Sequence, residues 1–549
     1  MPFDLLSEPW IPVLDTHAGD GGAELRDHPA APLVAREIGL QEALLRAHEV
    51  REVAAGSPLE TIALDRLLLA LALDVYLPEP DPDTWHRLWL AGRFPAEPLD
   101  AYLGAWGDRF DLLHPEHPFY QRAAPDASQD GKDPAPLAKL FHAQASGNNA
   151  TLFGHDLDSA PDRLPLAHSA RGLLATQAAA LGGGVSKPFN FSHAPLVGRA
   201  QLWIRGRSLF EALLLNAPPR DDARMGADLS GEDAPVWRRD LGADHEYDRR
   251  EQEGLLDVLT WPSRRLTLVT DDSGGETVAT GVYLTQGDKL DPQPTDDPLS
   301  AHVESKTRGR FPFGLRTDRA VWRDASVLFA MADPEGREAP ATFRWASALS
   351  ESLGADAQRE LERVFREEGI DVFGLVNDQA KAELWRHERL PLHTSILRDP
   401  AQQSVMRQAL DEADRVARGW KEAKRGTFGL RPAIRTTATY ALAPPAPGDD
   451  AYPSADTNAV SDLAQSLGAE PRFWGLLEPH FFRFLGRLAD ADGEEARIAA
   501  LSDWARQVAD AAETAFDAAT ASFDSDARHL RALAEGRARL RPSDPPPAA

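Results

Sequence analysis

Three consecutive glycines stand beside a serine and a lysine in the stretch from Gly182 to Lys187. Glycine-rich loops with a nearby lysine can hold phosphate, but a P-loop needs a GxxxxGK[ST] spacing that this stretch lacks. The GxGxxG pattern of dinucleotide-binding folds is absent as well. The glycines do permit positive φ angles and close approach of the backbone to a large partner. A plain flexible loop is the alternative, and composition alone favours it.

Histidines and carboxylates offer little catalytic chemistry. His387 and His393 have the spacing HExxxxH with Pro391 between them, so they would not share one face of a helix as metal ligands do. His114 and His117 are likewise bounded by prolines. The chain contains no cysteine, which excludes thiolate nucleophiles and cysteine-based metal sites. No GxSxG elbow occurs. We expect no enzymatic activity, no metal and no cofactor.

Basic residues interleaved with aromatic residues form two candidate nucleic-acid surfaces. The first surrounds Phe311, Phe313 and Trp322 and contains Lys306, Arg308, Arg310, Arg316, Arg319 and Arg323. The second lies near Trp420 and contains Lys421, Lys424, Arg425, Arg431 and Arg435. Such interleaving suits a surface that follows a nucleic-acid backbone. A solvated face whose cations pair with surplus acidic residues is an equally supported alternative.

Length and charge limit the protein class. At 549 residues, of which 42% are hydrophobic, the chain can build two or three cores. A formal net charge of −27 argues against free, non-specific binding of DNA, although local basic surfaces can act within a larger assembly. The N-terminal residues lack the basic and apolar regions of a signal peptide. The apolar run Leu59–Leu77 is interrupted by charged residues, which predicts a buried helix. We expect a cytoplasmic protein without membrane contact.

The elements that position these residues fall into two classes. Arg265–Thr270 and Thr277–Leu284 flank a Gly-Gly turn and predict a β-hairpin. Beyond Thr342 the chain is predicted to be almost wholly helical. We therefore predict an α+β fold, with a large mixed α/β N-terminal domain over residues 1–385 and a C-terminal four-helix bundle over residues 386–549.

Six motifs occur in order along the whole chain. They are Phe3–Val13, His114–Gln121, Ser146–Phe153, Leu181–Lys187, Thr280–Leu290 and Val376–Leu392. Together they resemble the CasA family, the large subunits of type I-E CRISPR Cascade complexes. The resemblance implies a non-catalytic subunit that recognises the protospacer-adjacent motif (PAM) of double-stranded DNA through the minor groove and helps start strand separation and R-loop formation. It implies as partners the other Cascade subunits, the crRNA, the target DNA and a separate helicase-nuclease that the complex recruits.

The resemblance also assigns residues to roles. The glycine loop of the family falls on Gly182, Gly183 and Gly184, and its lysine finger falls on Lys289. Its glutamine wedge falls on Asn377, Asp378, Gln379 and Ala380. A loop that meets the crRNA and the PAM-proximal DNA falls on Leu152, Phe153, Gly154 and His155. The basic residues Lys306, Arg308, Arg310 and Arg316 are a further candidate DNA-facing surface.

The residue types at these positions suit the assigned roles. Glycines lack a Cβ atom, so their backbone can enter a minor groove about 6 Å wide. Gln379 is predicted near the start of a helix, where a rigid element could press its amide into the base stack. Asp378 replaces a frequent asparagine of the family, and its carboxylate would weaken DNA binding unless it caps that helix. Two alternatives stay open: a metal-dependent nucleic-acid hydrolase that uses a carboxylate–histidine site, and a scaffold that never touches DNA.

Overall fold

A computed structural model describes most of the chain. The described residues are 2–15, 34–77, 82–122, 133–141, 163–186, 189–219, 233–239, 249–291, 296–330, 336–378, 381–422, 426–442 and 455–541. They form two compact units, residues 1–394 and 395–549. The boundary expected from the sequence, after residue 385, falls inside a strand that belongs to a sheet of the first unit.

The first unit mixes short sheets with helices. Its strands are β1 (Ile11–Asp15), β2 (Val34–Ile38), β3 (Val50–Val53), β4 (Leu164–Pro165), β5 (Ala200–Ile204), β6 (Arg249–Arg250), β7 (Arg264–Asp271), β8 (Val278–Gln286), β9 (Lys289–Leu290), β10 (His302–Ser305), β11 (Gly309–Pro312), β12 (Arg337–Glu338), β13 (Ile370–Asp378) and β14 (Lys381–Leu390). Its helices are α1 (Leu40–Leu45), α2 (Pro58–Tyr76), α3 (Pro82–Ala91), α4 (Ala96–Trp106), α5 (Leu166–Ala179), α6 (Leu209–Leu215), α7 (Leu255–Thr260), α8 (Ala325–Leu328), α9 (Ala341–Ser352) and α10 (Ala355–Glu368).

The strands of this unit pair into small, mostly antiparallel sheets. The strand orders are β2-β1-β3, β4-β8-β7, β11-β10-β12, β14-β13-β5 and β6-β9. Strands β7 and β8 form the predicted hairpin, with Arg264 opposite Gln286 at its open end. Strands β6 and β9 run parallel. Because parallel strands cannot be joined by a tight turn, β9 depends on a distant part of the chain for its pairing.

Helix α2 forms the centre of the first unit. The Ser57 hydroxyl caps its first turn by accepting from the Glu60 N–H, and Pro58 occupies the first helical position. These are favoured residues for starting a helix. Leucine and alanine side chains are buried on every face of the helix. The apolar run of the sequence is therefore a core helix, as predicted.

The second unit is predominantly helical. Its elements are α11 (Thr394–Arg398), which begins at the unit boundary, and then α12 (Pro400–Arg418), β15 (Trp420–Glu422), β16 (Gly426–Phe428), α13 (Leu430–Leu442), α14 (Thr457–Ser466), α15 (Ala469–Ala489), α16 (Gly493–Thr520) and α17 (Ala527–Arg537). Trp504 lies in its core, donates to the Ala409 carbonyl over 2.7 Å, and packs against Phe481 and Phe484. The predicted α+β class with a helical C-terminal region is confirmed.

The prediction of a nearly all-helical chain beyond Thr342 is wrong. Strands β13 and β14 form a long antiparallel hairpin from residue 370 to residue 390. Strand β13 also pairs with β5, with Ile370 opposite Ile204. The β-branched and aromatic residues of β13 suit a buried strand, and the pairing with β5 overrides the helical pattern of the sequence.

Candidate nucleic-acid interface

The glycine loop, defined here as residues 182–186, follows α5 and folds back on the segment after it. The Gly183 N–H donates to the Phe191 carbonyl, and the Phe191 N–H donates to the Gly184 carbonyl, both over 2.9 Å. The Gly182 N–H donates to Nδ1 of His193 over 3.0 Å. Burial and the Arg264 guanidinium lower the pKa of His193, which favours the neutral ring that can accept this bond. The glycine loop is therefore tied to the segment after it by hydrogen bonds to Phe191 and His193.

Each of the three glycines has a structural reason of its own. A Cβ atom on Gly182 would lie 2.8 Å from backbone atoms of Ser192 and His193, so this position is closed to other residues. Gly183 has a φ of 99°, which L-residues rarely adopt. A Cβ atom on Gly184 would lie 3.1 Å from the Phe191 ring. Gly182 is buried, whereas Gly183 and Gly184 are exposed. The exposed backbone of the loop is thus limited to its tip.

A buried arginine supports the base of this loop. Arg264 is 2% exposed, and its Nη2 donates to the carbonyls of Ala180, Leu181 and Ser192 over 2.8 to 3.1 Å. Its guanidinium lies 5.0 Å from the centroid of the Phe191 ring. Burial lowers the pKa of Arg264 to about 9. The guanidinium beneath the loop therefore donates to backbone carbonyls that lie before and after the glycines in sequence.

Gln286 connects the loop to the β7–β8 hairpin. Its side-chain Oε1 accepts from the Ser192 N–H over 2.8 Å, and its Nε2 donates to the Ser192 hydroxyl over 3.0 Å. Its backbone N–H donates to the Ser186 hydroxyl over 2.9 Å. Gln286 is fully buried and lies opposite Arg264 in the hairpin. One pair of facing residues at the end of a hairpin thus fixes the whole glycine loop.

Lys289 lies beside the glycine loop and the open end of the β7–β8 hairpin. It begins β9 three residues after Gln286, is half-buried, and pairs in parallel with Arg249 of β6. The Arg249 guanidinium lies 5.1 Å from the ring centroid of Phe189, just after the glycine loop. The structure therefore brings Lys289 and the glycine loop into one region, through Gln286 on one side and Arg249 on the other.

The segment predicted as a wedge lies at the end of the β13–β14 hairpin. Asn377 pairs with Ala382, and Asp378 pairs with Lys381, so only two residues connect the strands. These two, Gln379 and Ala380, lie outside the described residues. The expected helix start at Gln379 is wrong, because strands stand on both sides of it. Asp378 ends a strand and cannot serve as the helix cap that the sequence suggested.

The basic residues after residue 305 divide into two groups. Arg310 forms ion pairs with Asp296 at 2.6 Å and Glu338 at 2.9 Å. Arg316 pairs with Asp318 at 3.2 Å. Lys306 and Arg308, by contrast, are exposed in the turn between β10 and β11, and neither forms an ion pair with any residue that the structure describes. The guanidinium of Arg308 stacks over the Phe311 ring at 4.6 Å. We call residues 306–308 the basic turn.

The sequence is related to proteins of known type. A model of the family described as CRISPR-associated protein Cse1 matches residues 4–515. A relative from Thermus thermophilus, described as CRISPR-associated protein CasA/Cse1, is 32% identical over 556 residues, which span 97% of this chain and 95% of the relative. The chain belongs to the CRISPR-associated Cse1 family. The resemblance read from the six motifs is thereby confirmed.

Solved structures of Cse1 proteins share this fold. The crystal structure of CasA from Thermus thermophilus matches with a TM-score of 0.74 at 29% identity, covering 98% of both chains. Cse1 from Acidimicrobium ferrooxidans matches with a TM-score of 0.74 at 23% identity, covering 98% of this chain and 97% of that one. A chain of a structure described as a CRISPR RNA-guided surveillance complex matches with a TM-score of 0.69 at 21% identity, covering 98% and 99%. The last two similarities concern the fold alone.

The second basic surface of this Cse1 chain borders an open groove in the second unit. The groove has a volume of about 710 Å³, and its charged lining residues are Arg418, Arg431, Arg435 and Arg539. Arg431 is paired with Glu470 at 2.8 Å. Lys424 and Arg425 lie outside the described residues. The sequence pointed to Arg431 and Arg435 but not to Arg418 or Arg539, because the groove brings together four separate elements.

Other predicted features of this Cse1 chain have different outcomes. Leu152, Phe153, Gly154 and His155 lie outside the described residues. His387 donates to Asp371 over 2.9 Å and stacks on the Phe373 ring, so it takes part in an ion-pair network. Within the described ranges, only Asp524, Asp526 and His529 bring their ligand atoms close enough to share an ion. A membrane-spanning helix, judged by length and apolar content, is not found in the part of the chain that is described.

Sequence reasoning missed several residues that build the interface. Arg264 and Gln286 support the glycine loop, and Arg249 and Phe189 lie between it and Lys289. Gln286 falls within one of the six motifs, so its position was a usable signal. Arg249 and Arg264 each stand beside a second arginine, Arg250 and Arg265, and nothing local distinguishes them from these neighbours.

Proposed function

We propose that this chain is the large subunit of a crRNA-guided CRISPR surveillance complex and that it recognises the PAM of double-stranded DNA through the minor groove. The observation that carries the proposal is the exposed, internally braced tip of the glycine loop beside Lys289. Membership of the Cse1 family supports it, as does the shared fold with a chain of an RNA-guided surveillance complex. Other subunits of the complex and the crRNA are the proposed partners.

The tip of the glycine loop suits a narrow groove. Gly183 and Gly184 present backbone without side chains, and a B-DNA minor groove is about 6 Å wide. The bracing by Arg264 and Gln286 lowers the entropy that the loop would lose on binding. A rigid, uncharged backbone can thus enter the groove although the protein as a whole is acidic.

Lys289 supplies the cation at this site. An ammonium group can donate to the adenine N3 and thymine O2 acceptors, which A·T and T·A pairs present alike in the minor groove. Recognition of this kind is degenerate, so we expect several PAM sequences to be accepted. Arg249, next to Lys289 in the β6–β9 pair, forms an ion pair with Asp291 at 3.5 Å, so Lys289 is the proposed DNA contact of this pair.

The β13–β14 hairpin is the proposed wedge. Its two strands pair in antiparallel fashion with one register shift between Val376 and Asn377, and β13 is held against β5, so the hairpin has a fixed base. Insertion of Gln379 between base pairs would cost a few kcal/mol for each step that is unstacked, offset by pairing with the guide. Opening at this point would start the R-loop, after which a separate helicase-nuclease would be recruited. The chain itself would be a cytoplasmic, non-catalytic protein.

The test compares Lys289→Ala and Gln379→Ala in the reconstituted complex, with exposed Lys139→Ala as the matched control. We expect Lys289→Ala to weaken binding of a PAM duplex about tenfold or more, since a groove contact is worth about 1–3 kcal/mol. Gln379→Ala should bind the closed duplex but open it more slowly, and a pre-opened duplex should rescue it. Wild-type behaviour of both variants would contradict the proposal and favour the scaffold alternative. Cleavage of DNA by the purified chain with Mg²⁺ or Mn²⁺ would favour the hydrolase.

A further inference from the structure

A cavity of about 240 Å³ lies inside the first unit, away from the proposed DNA site. It is bordered by the start of α2, by β3, by α6 and by the β14-β13-β5 sheet, and no residue of the glycine loop or of β9 is among its described lining. Trp203, Leu209 and Phe373 provide apolar walls. Its volume equals that of about eight water molecules in the liquid, which is room for a small organic molecule.

Most charged groups that line this cavity are paired. Arg205 bridges Asp371 and Glu52, at 2.7 Å from each. Arg389 contacts the same two carboxylates at 3.0 and 3.2 Å, and His387 donates to Asp371 over 2.9 Å. Burial alone would raise the pKa of Asp371, but His387 and the two arginines hold it down at about 2. These residues therefore form a closed network along one wall.

Asp65 is the exception. It lies on α2, is 5% exposed, and forms no hydrogen bond or ion pair with any residue of the described ranges. Pro58 and Thr61 line the cavity from the same face of the helix. Burial, together with the charges of Asp371 and Glu52, raises the pKa of Asp65 well above its usual value. A buried polar group without a partner weakens a fold, and the other buried charged residues of α2, Glu60, Arg66 and Asp74, all form ion pairs. The carboxyl group therefore serves something other than packing.

The surroundings of Asp65 indicate the kind of ligand. The charges of Asp371 and Glu52 disfavour the ionised Asp65 carboxylate, and only Arg205 acts in the opposite direction, so a cation beside Asp65 would stabilise its charged form. Trp203 and Phe373 offer aromatic surface, which attracts cations. Within the part of the chain that the structure describes, Asp65 does not come close enough to other carboxylates to share a metal ion. We propose that this cavity binds a small organic ammonium or guanidinium cation, with Asp65 as its counter-ion.

The experiment uses the full-length chain and agmatine, a small molecule with both cationic groups, in calorimetry and in thermal unfolding. We expect agmatine at millimolar concentration to raise the Tm by several degrees and to give measurable heat. Asp65→Asn should lower the affinity at least tenfold. The Tm of that variant without ligand should be unchanged or higher, because an amide costs less to bury than a carboxylate. Glu97→Gln, which changes an exposed carboxylate of α4, should bind agmatine like the wild type.

A second measurement on the wild type does not depend on any variant. The cation needs the ionised form of Asp65, so affinity should fall at least tenfold between pH 8 and pH 5. Protonation of His387 would act in the same direction, whereas Arg51, Arg205 and Arg389 keep their charge. Absence of binding by agmatine, putrescine and tetramethylammonium, or wild-type affinity in Asp65→Asn, would overturn the proposal. Binding of inorganic phosphate in their place would do so as well. None of these outcomes bears on DNA binding.

Discussion

The glycine loop contains no charged side chain between Gly182 and Ser186, whereas four cations lie between Lys306 and Arg316. Charge alone would make the second region the better DNA contact. In the structure, Arg310 and Arg316 are paired with carboxylates, whereas Lys306 and Arg308 of the basic turn form no ion pair with a described residue. The glycine loop draws on Arg264 below it and Lys289 beside it. Whether a basic surface can bind DNA therefore depends on how many of its cations are already paired with carboxylates, and not on the number of cations alone.

The largest effect should come from Gly183→Asp. This change adds a side chain and a negative charge at the exposed tip, and the φ of 99° at this position disfavours any side chain. We expect binding of a PAM duplex by the assembled complex to weaken about a hundredfold, or roughly 3 kcal/mol. The matched control is Gly275→Asp, because Gly275 has a similar φ of 82° in the β7–β8 turn and no neighbouring atoms. Equal losses in the two variants would trace the effect to backbone strain.

Removal of the support beneath the loop should have the next largest effect. Arg264→Met leaves the carbonyls of Leu181 and Ser192 without the Arg264 donor, whereas Ala180 keeps the Ala194 N–H, and each such loss costs about 1–3 kcal/mol in a buried site. We expect faster hydrogen exchange at the Gly183 amide and DNA binding about tenfold weaker. Arg163→Met, which removes an ion pair at the other end of the hairpin, is the control. Unchanged exchange at Gly183 would mean that the loop keeps its shape without Arg264.

Charge reversal should separate the two groups of basic residues. If the basic turn faces DNA, Arg308→Glu should lower the salt dependence of binding by about one phosphate contact, a slope change near 0.9. Arg310→Glu should leave that slope unchanged and instead destabilise the fold, because Asp296 would lose Arg310 and Glu338 would keep only Arg344. Salt titrations and thermal unfolding of both variants measure the difference. Equal slopes for Arg308→Glu and the wild type would assign the basic turn to solvent.

The smallest effect concerns Val185, which is 88% exposed at the tip of the glycine loop. An apolar side chain beside a minor groove can contact sugar and base edges. We therefore expect Val185→Ser to weaken duplex binding about threefold, or some 0.6 kcal/mol. The stability of the free protein should not change, because the side chain packs against little. Titration of the duplex and thermal unfolding test both statements, and tighter binding by the serine variant would show that Val185 stays in solvent.

Local signals predicted the parts of the fold that depend on neighbours in sequence. The β7–β8 hairpin follows from alternating apolar residues around a Gly-Gly turn, and α2 follows from a long apolar run that only a few charged residues interrupt. The β13–β14 hairpin was misjudged as helix although its strands are neighbours in sequence, so the β-branched and aromatic residues of β13 were a local signal that was missed. The pairing of β13 with β5 had no such signal, because β5 lies far earlier in the chain, as the buried Arg205–Asp371 pair shows with a separation of 166 residues.

The candidate site was predicted in part. The glycines and Lys289 could be found from the order of the motifs, but the reason for the glycines could not. Gly182 is required by contact with the protein's own backbone, which a sequence does not reveal. The supporting role of Arg264 depends on three carbonyls drawn from two separate turns of the chain. Such a role becomes visible only when those turns have been placed.

The hydrogen bond between Ser186 and Gln286 joins residues that are 100 positions apart. During synthesis the glycines therefore leave the ribosome long before the hairpin that holds them has been made. Contacts of such long range also form slowly in the folding of a finished chain. The loop should acquire its shape among the last parts of the first unit, and a truncated or stalled chain would carry all three glycines without the geometry that gives them their use.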